Sequence, residues 1–411
     1  MEIQPILAAL RRNKFGAILI CLQMAVTLAV LCNGIFVIQQ RVQWTERPTG
    51  VDESRVFTFR NKWIGDKDFD DLRAHTRQDL AALRNLPGVE DAYCSNSYPL
   101  MGGGNTASVL MSADQRTATA STSTYFADEN TLRTLGLKLL AGRNFTASEI
   151  SDPTFVAGGP VPAKVGIIIT ESLAHALFPH ASAVGKVIYL GPPTPLTILG
   201  VVGRLQGPFT RAGGWGSTFS ENSVLIPFRW AASDAQYIVR AKPGQFAAAM
   251  REAQRALLDV DALRVLSDPR PMSHARQDAY QDDHAFVLVL VTVCVIMLAV
   301  TAFGIVGLTS YWVTQRRRQI GIRRALGSTR TGILRYFQTE NLLIALLATV
   351  IGCALTVSFN LWAVDTFEME RLPYRYLVLG SATILLLGQI AAFWPALRGS
   401  MVPPALAARS T

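Results

Sequence analysis

Three short stretches carry residue types from which chemistry is built. "MGGGN", Met101 to Asn105, has the glycines of a loop whose backbone N–H groups cradle a phosphate. His175 and His180 in "HALFPH" offer two imidazoles at close spacing, and "QDDH", Gln281 to His284, groups two carboxylates with a third. Each has a weakness. The glycine run lacks the Lys-Ser/Thr ending and the following helix of a nucleotide loop, which leaves a flexible turn. Pro179 ends the helix that would align the histidines. The acidic group borders an apolar run, where solvated or headgroup-facing residues are ordinary. No Ser-His-Asp or Cys-His arrangement stands out, and GxxxxGK[ST] does not occur. The reading is therefore of a non-enzyme, with no catalytic, cofactor-binding or metal-binding residues.

A fourth stretch is different in kind. "TQRRRQIGIRRALGSTRTGILRYFQTEN", residues 314–341, sets seven arginines and one glutamate between two long apolar runs. Ile320, Ile322, Ala325 and Leu326 are apolar among the arginines, Gly327 can end a helical turn, and Ser328 is placed to cap the next helix. A loop that only sets topology needs charge and no apolar knobs. A short helix with an apolar patch among basic residues suits a groove on another cytoplasmic protein.

The elements around this loop belong to a membrane protein. Half of the 411 residues are hydrophobic, 17% are charged and mean hydropathy is +0.25, too apolar for an ordinary soluble chain. Four windows reach the length needed to cross hydrocarbon: Phe15 to Ile38, Ala285 to Val313, Asn341 to Val364 and Tyr376 to Leu397. None contains Asp, Glu, Lys, Arg or His. Arg11, Arg12 and Lys14 flank the first window, which is longer than a signal-peptide core and is followed by no A-x-A site, so it reads as a retained anchor. Cys32 follows Val30 and Leu31, a poor lipoprotein box. Spans without ionisable groups disfavour ion-coupled transport. Gln23, Asn33, Asn360 and Gln389 are expected to hydrogen-bond between helices, and Gly304 with Gly307 to allow close packing.

Charge is unevenly placed. Residues 1–40 carry +3 and −1, residues 41–284 carry +25 and −25, residues 315–340 carry +7 and −1, and residues 341–411 carry +4 and −3. The excess lies on the short flanks of the windows, which predicts that both termini and the 315–340 loop are cytoplasmic and that the long neutral segment is outside. A nucleic-acid arm would want phosphate-tracking or base-reading residues elsewhere in the chain, and no nucleic-acid partner is expected. Four of the five cysteines fall inside windows, so Cys94 is alone in the exported segment and cannot form an internal disulfide.

That segment alternates short helices and strands. Lys67 to Leu86 has helical spacing and stops at Pro87-Gly88; "VEDAYCS" reads as a strand, "ASVLMSA" and "TATASTSTYF" as paired strands, and "DENTLRTLG" as a short helix. "VGIIIT", "ESLAHALF", "KVIYLG" and "LTILGVVGR" give strand, helix, strand, strand; "SVLIPF", "QYIVRA", the helix from Gln245 to Leu258 and "LRVLS" follow. The expectation is an α+β domain, a split outer unit with an inserted middle unit.

"FGIVGLTSYWVTQRRRQIGIRRALGSTRTGILRYFQTENLLIALLATVIG" resembles the characteristic segment of MacB/FtsX-type ABC transporter permeases. "LRNLPGVEDAYCSNSYPL", "LGLKLLAGRNFT", "ITESLAHALFP", "VGKVIYLG", "LTILGVVG" and "VLIPF" resemble landmarks of the MacB periplasmic core domain in order, and "WPALRGSMVPPALAAR" the closing motif. The resemblance implies four transmembrane helices with a large α+β periplasmic domain, in porter and sabre-like parts, between helices 1 and 2. The domains would be 1–39, 40–284 and an FtsX-like 285–411 containing a coupling loop at 314–340. It implies an inner-membrane permease whose coupling helix, Arg316, Arg317, Arg318, Ile320, Gly321, Ile322, Arg323, Arg324, Ala325, Leu326 and Gly327, docks on an ATPase that holds ATP and Mg. Only about 14 residues precede the first span, so the ATPase is expected on a separate subunit. Further implied partners are a second permease chain, identical or homologous, membrane lipids, and a periplasmic adaptor or outer-membrane factor. The implied function is mechanotransmission and export of peptide, antibiotic or lipid-linked cargo, the alternative being an FtsX-like regulator of an envelope enzyme that transports nothing. A receptor would need a cytoplasmic signalling domain, for which residues 398–411 leave no room. Gln315 and Gln319 stand where the family often has acids, and Leu397 and Gly399 thin the basic closing run.

Overall fold

A charge-free apolar run placed in hydrocarbon must satisfy its own backbone, and a helix does so. The computed structural model describes residues 14–151, 165–191, 195–209, 219–367 and 370–401. Among them are four helices long and apolar enough to cross a membrane. They are a first span, Lys14–Thr45, a second, Gln281–Gln315, a third, Arg330–Phe367, and a fourth, Tyr374–Ser400. All four run beyond the apolar windows. The flank at Arg11 and Arg12 and the closing motif after Met401 lie outside the described residues.

The chain divides into two compact units, Met1–Thr45 with Asp283–Thr411, and Glu46–Asp282. In the first, Met24, Leu28 and Cys32 of the first span pack with Ile344, Ala345 and Ala348 of the third and Ile384 and Ala392 of the fourth. Missing side chains permit the closeness: a Cβ on Gly352 would lie 2.9 Å from the Ala25 carbonyl oxygen. The second span follows the first antiparallel, through Thr27 and Thr301, whose hydroxyls are 2.8 Å apart, and through Gln23 against Gly304. It is the least covered of the four, with 11% of its most apolar window buried against 44% for the first.

The expected polar contacts divide. Asn33 Nδ2 donates to the Thr356 carbonyl of the third span at 3.4 Å. Asn360 instead accepts from the Leu372 backbone N–H, holding the turn before the fourth span, and Gln389 is bridged through its backbone oxygen, which accepts from Gln338. A Cβ on Gly304 would crowd Gln23 at 2.8 Å, as close packing requires, but one on Gly307 would meet nothing within 4 Å.

The second unit, Glu46–Asp282, begins with β1 (Val56–Trp63), α1 (Phe69–Arg84) and β2 (Val89–Ser95). Asp68 caps α1 by accepting from the Asp71 N–H at 2.8 Å. A second sheet is then inserted: β3 (Asn105–Leu110), β4 (Ala120–Phe126), α2 (Thr131–Leu135), β5 (Leu139–Gly142), β6 (Val165–Thr170), α3 (Glu171–Leu177), β7 (Val187–Leu190), β8 (Pro195–Val202) and β9 (Ser223–Ile226). The chain returns with β10 (Asp234–Ala241), α4 (Phe246–Val260), β11 (Arg264–Leu266), β12 (Arg270–Pro271) and α5 (Met272–Ala279). The first sheet runs β11-β1-β10-β2, with β12 also on β1; the inserted sheet runs β5-β8-β6-β9-β4-β3-β7, and β7 pairs back to β8 to close a ring. The split arrangement expected from the sequence is present.

One face of the first sheet, Phe57, Phe59, Tyr237, Val239 and Cys94, lies under Leu80 and Leu83 of α1 and Ala249, Ala253 and Leu257 of α4. The other face, Val56, Tyr93 and Ile238, packs with Tyr125, Ile168 and Leu225 of the inserted sheet. Cys94 is free, and burial pushes its thiol well above the usual range.

Candidate functional site

The second span ends at Gln315, and after Arg316 the chain forms α6, Arg317–Ala325. Its end follows from Gly327, whose φ of +97° suits a residue without Cβ. The Gly327 N–H donates to the Arg324 carbonyl at 3.2 Å and the Ser328 N–H to that of Arg323 at 3.0 Å, a complete Schellman termination. Ser328 is thereby spent on α6, and the expected cap falls one residue later. Thr329 Oγ1 accepts from the Gly332 N–H at 3.1 Å and opens the third span.

α6 is braced on one side. Arg316 Nη1 donates to both carboxylate oxygens of Glu340, at 2.8 and 3.1 Å, with the side chains 12% and 1% exposed. Ile320 is buried with Val313, Ile333, Phe337 and Ala396, and Gly321 beside it is buried too. Arg324 Nη1 donates to the Ser400 carbonyl at 3.1 Å, and the Arg323 guanidinium lies 5.2 Å from the centre of the Tyr336 ring. The other side is bare. Arg317, Arg318, Ile322, Ala325 and Leu326 are exposed, with Ile322 at 50% and Leu326 at 84%. Ile322, Ala325 and Leu326 recur at i, i+3 and i+4, one apolar stripe on a helix.

The stretch quoted from sequence therefore serves two purposes. Arg316, Ile320, Gly321 and Arg324 fix α6 to its own unit, so Ile320 is not an available docking knob. Arg317, Arg318, Ile322, Ala325 and Leu326 remain on the open side, Arg323 lies against the Tyr336 ring, and Gly327 ends the helix. Glu340 and Thr329, absent from the sequence reading, complete the brace. The acid at position 340 was the only negative charge among seven arginines, which was the signal available.

The other chemical-looking stretches resolve differently. "MGGGN" leads into β3 rather than a helix, so it is no nucleotide loop. His175 lies on α3 and His180 beyond it, both exposed, and no cluster of three His, Cys, Asp or Glu able to hold a metal occurs among the described residues. In "QDDH", Asp283 is not a solvated surface acid: it is 8% exposed and ion-paired to Arg41 of the first span.

A domain of two sheets is set between the first and second of four spans, with a braced basic helix between the second and third. Residues 25–257 match the MacB-like periplasmic core domain and residues 291–404 the FtsX-like permease C-terminal domain, so the chain belongs to the MacB/FtsX family of ABC transporter permeases. It is 27% identical over 358 residues to the macrolide export ATP-binding/permease protein MacB of Chromobacterium violaceum, covering 85% of this chain and 51% of that protein. The MacB of Neisseria gonorrhoeae is 22% identical over 366 residues, with 88% and 52% covered. The chain spans about half the length of these curated relatives. The crystal structure of the periplasmic region of MacB from Actinobacillus actinomycetemcomitans matches with a TM-score of 0.35 at 13% identity, over 57% of this chain and 97% of that one. The extracellular domain of the transporter YknZ gives 0.32 at 17%, over 51% and 99%.

Proposed function

We propose that this chain is the permease component of an ATP-driven exporter, with α6 as the helix on which a nucleotide-binding partner docks. One observation carries the reading: α6 is fixed on its inner side and presents a bare apolar stripe, Ile322, Ala325 and Leu326, among arginines on its outer side. The positive charge of the loop supports a cytoplasmic position for it. ATP and Mg belong to the partner, since no phosphate-binding loop occurs in these residues. A push on α6 passes through Arg316 and Ile320 to the foot of the third span, and through the single residue Arg316 to the second span. The sparsely packed second span continues into the exported domain, so its movement is the route by which hydrolysis reaches the periplasm. A pair of such chains would present two coupling helices to a two-site ATPase. The relatives' names favour export over regulation of an envelope enzyme; peptide, antibiotic or lipid-linked cargo fits an exported domain of this size.

The test is the double substitution Ile322→Asp with Leu326→Asp. Each places a carboxylate in the docked surface, costing about 1 to 3 kcal/mol where it is left unpaired. Copurification with the ATPase and stimulated phosphate release should both be lost, with insertion and thermal stability unchanged. A doubly substituted chain that keeps its partner would remove α6 as the contact.

A further inference from the structure

The last four carbonyls of a helix have no donor within it, and at the end of the fourth span they must find donors where little water reaches. The Met401 N–H donates to the Arg398 carbonyl at 3.2 Å, and the Ser400 hydroxyl to that of Leu397 at 2.7 Å. The Ser400 carbonyl is met from another element, by Arg324 Nη1 of α6 at 3.1 Å. Ser400 is 1% exposed, so solvent has little room to replace that donor, and a cation at this end also suits the helix dipole. The fourth span is thus finished by a residue of α6.

Pro395 divides that span into parts with different attachments. Having no N–H, it gives nothing to the Ala391 carbonyl one turn earlier, and a helix bends most readily where that bond is missing. Before it, Ile384 and Ala392 pack with the first and third spans, and Asn341 Nδ2 of the third donates to the Gly388 carbonyl at 2.8 Å. After it the neighbours change. Ala396 is buried with Ile320 of α6, Val313 of the second span, and Ile333 and Phe337 at the foot of the third. A Cβ on Gly399 would stand 2.7 Å from Val313 Cγ1, so glycine lets the end of this span lie against the foot of the second. The last turn belongs to the cluster around α6, and the rest of the span to the bundle.

We propose that Arg324 is a positioning residue through which α6 carries the end of the fourth span, with Pro395 as the joint that lets this end move while the bundle stays in place. This role rests on α6 as the docking helix. It adds a route into the fourth span beside those through Arg316 and Ile320 to the second and third.

The experiment is hydrogen exchange read by mass spectrometry on the full chain in detergent, alone and bound to its ATPase. In the chain alone, Arg324→Gln should speed exchange of the amides of residues 396–400 about tenfold, the equivalent of one good hydrogen bond, and leave residues 384–392 unchanged. Arg324→Lys, which keeps a charged donor, should restore part of the protection. Pro395→Ala supplies the missing N–H, and in that background Arg324→Gln should have a smaller effect. With the ATPase bound, ATP and vanadate should change exchange of residues 396–400 in wild type and not in Arg324→Gln. Equal exchange in wild type and Arg324→Gln, no rescue by lysine, or an undiminished effect in the Pro395→Ala background would overturn the proposal. So would a vanadate response that is missing in wild type or survives in Arg324→Gln, or loss of the ATPase from that variant, which would make Arg324 a docking contact. If Ile322→Asp with Leu326→Asp keeps the ATPase, the docking reading fails instead, and the chain alone decides whether Arg324 ties α6 to the fourth span.

Discussion

At the start of the second span Asp283 meets Arg41 of the first; just past its end Arg316 meets Glu340 of the third. The pairs have the same chemistry and different surroundings. Arg41 is 29% and Asp283 8% exposed, with the guanidinium also 5.1 Å from the centre of the Phe286 ring. Arg316 and Glu340 are 12% and 1% exposed and sit beside the Ile320 cluster. A pair in contact with water can exchange protein partners for solvent, and a dry one cannot. The same helix is thus attached firmly at the end next to α6 and more loosely at its N-terminal end.

The comparison breaks most sharply at Glu340. Arg316→Ala leaves that carboxylate buried and unpaired and should cost about 3 to 5 kcal/mol, read as a lowered melting temperature of the solubilised chain. Arg316→Ala with Glu340→Ala should recover part of the loss; a double variant no better than the single would show that charge burial is not the cause. Asp283→Asn should cost less, about 1 to 2 kcal/mol, because Arg41 can turn to water. Exchanging the two residues, Arg41→Asp with Asp283→Arg, should restore stability, and equal costs at the two ends of the span would remove the asymmetry altogether. The smallest effect belongs to an exposed reference, Arg143 and Glu149, 52% and 32% exposed. The hydrogen bond from Arg143 lowers the Glu149 carboxyl from 4.5 to about 2. Its contribution is present above pH 4.5 and is lost as pH falls toward 2, screened by solvent throughout. Arg143→Gln should flatten the pH dependence of melting in that window only slightly; a steep change would mean that exposure does not set the order of these pairs.

Much of this was legible in the sequence, for reasons that differ by region. The spans were visible because charge is excluded from each window, and Gly136 and Gly327 marked helix ends through local backbone chemistry; the cap at Asp68 was not read. β1 was not seen. Six of its eight residues are buried, on both faces of the sheet, which erases the alternation that marks a half-exposed strand. In α6 the composition was read correctly and the facing was not. Ile320 and Ile322 are two residues apart, about 200° around a helix, so only one of them could look outward. Which one depends on Ile333, Phe337 and Ala396, contributed by other helices. Asp283 looked solvated because its partner lies 242 residues away in sequence.

The inserted ring of strands also bears on how the exported domain is made. β1 pairs with β10, and between them in the chain lies the entire second sheet. Joining β1 to β10 before that insert has folded means closing a long flexible loop for the reward of one ladder; joining them afterwards means bringing together two ends already held close. The inserted sheet should therefore form first and the first sheet close around it last. Pulsed hydrogen exchange during refolding would show amides of β6 and β8 protected before those of β1, and protection of β1 first would reverse the order. A ribosome that has not yet delivered residue 234 has produced a chain whose inner sheet can be complete while its outer sheet still waits for its central strand.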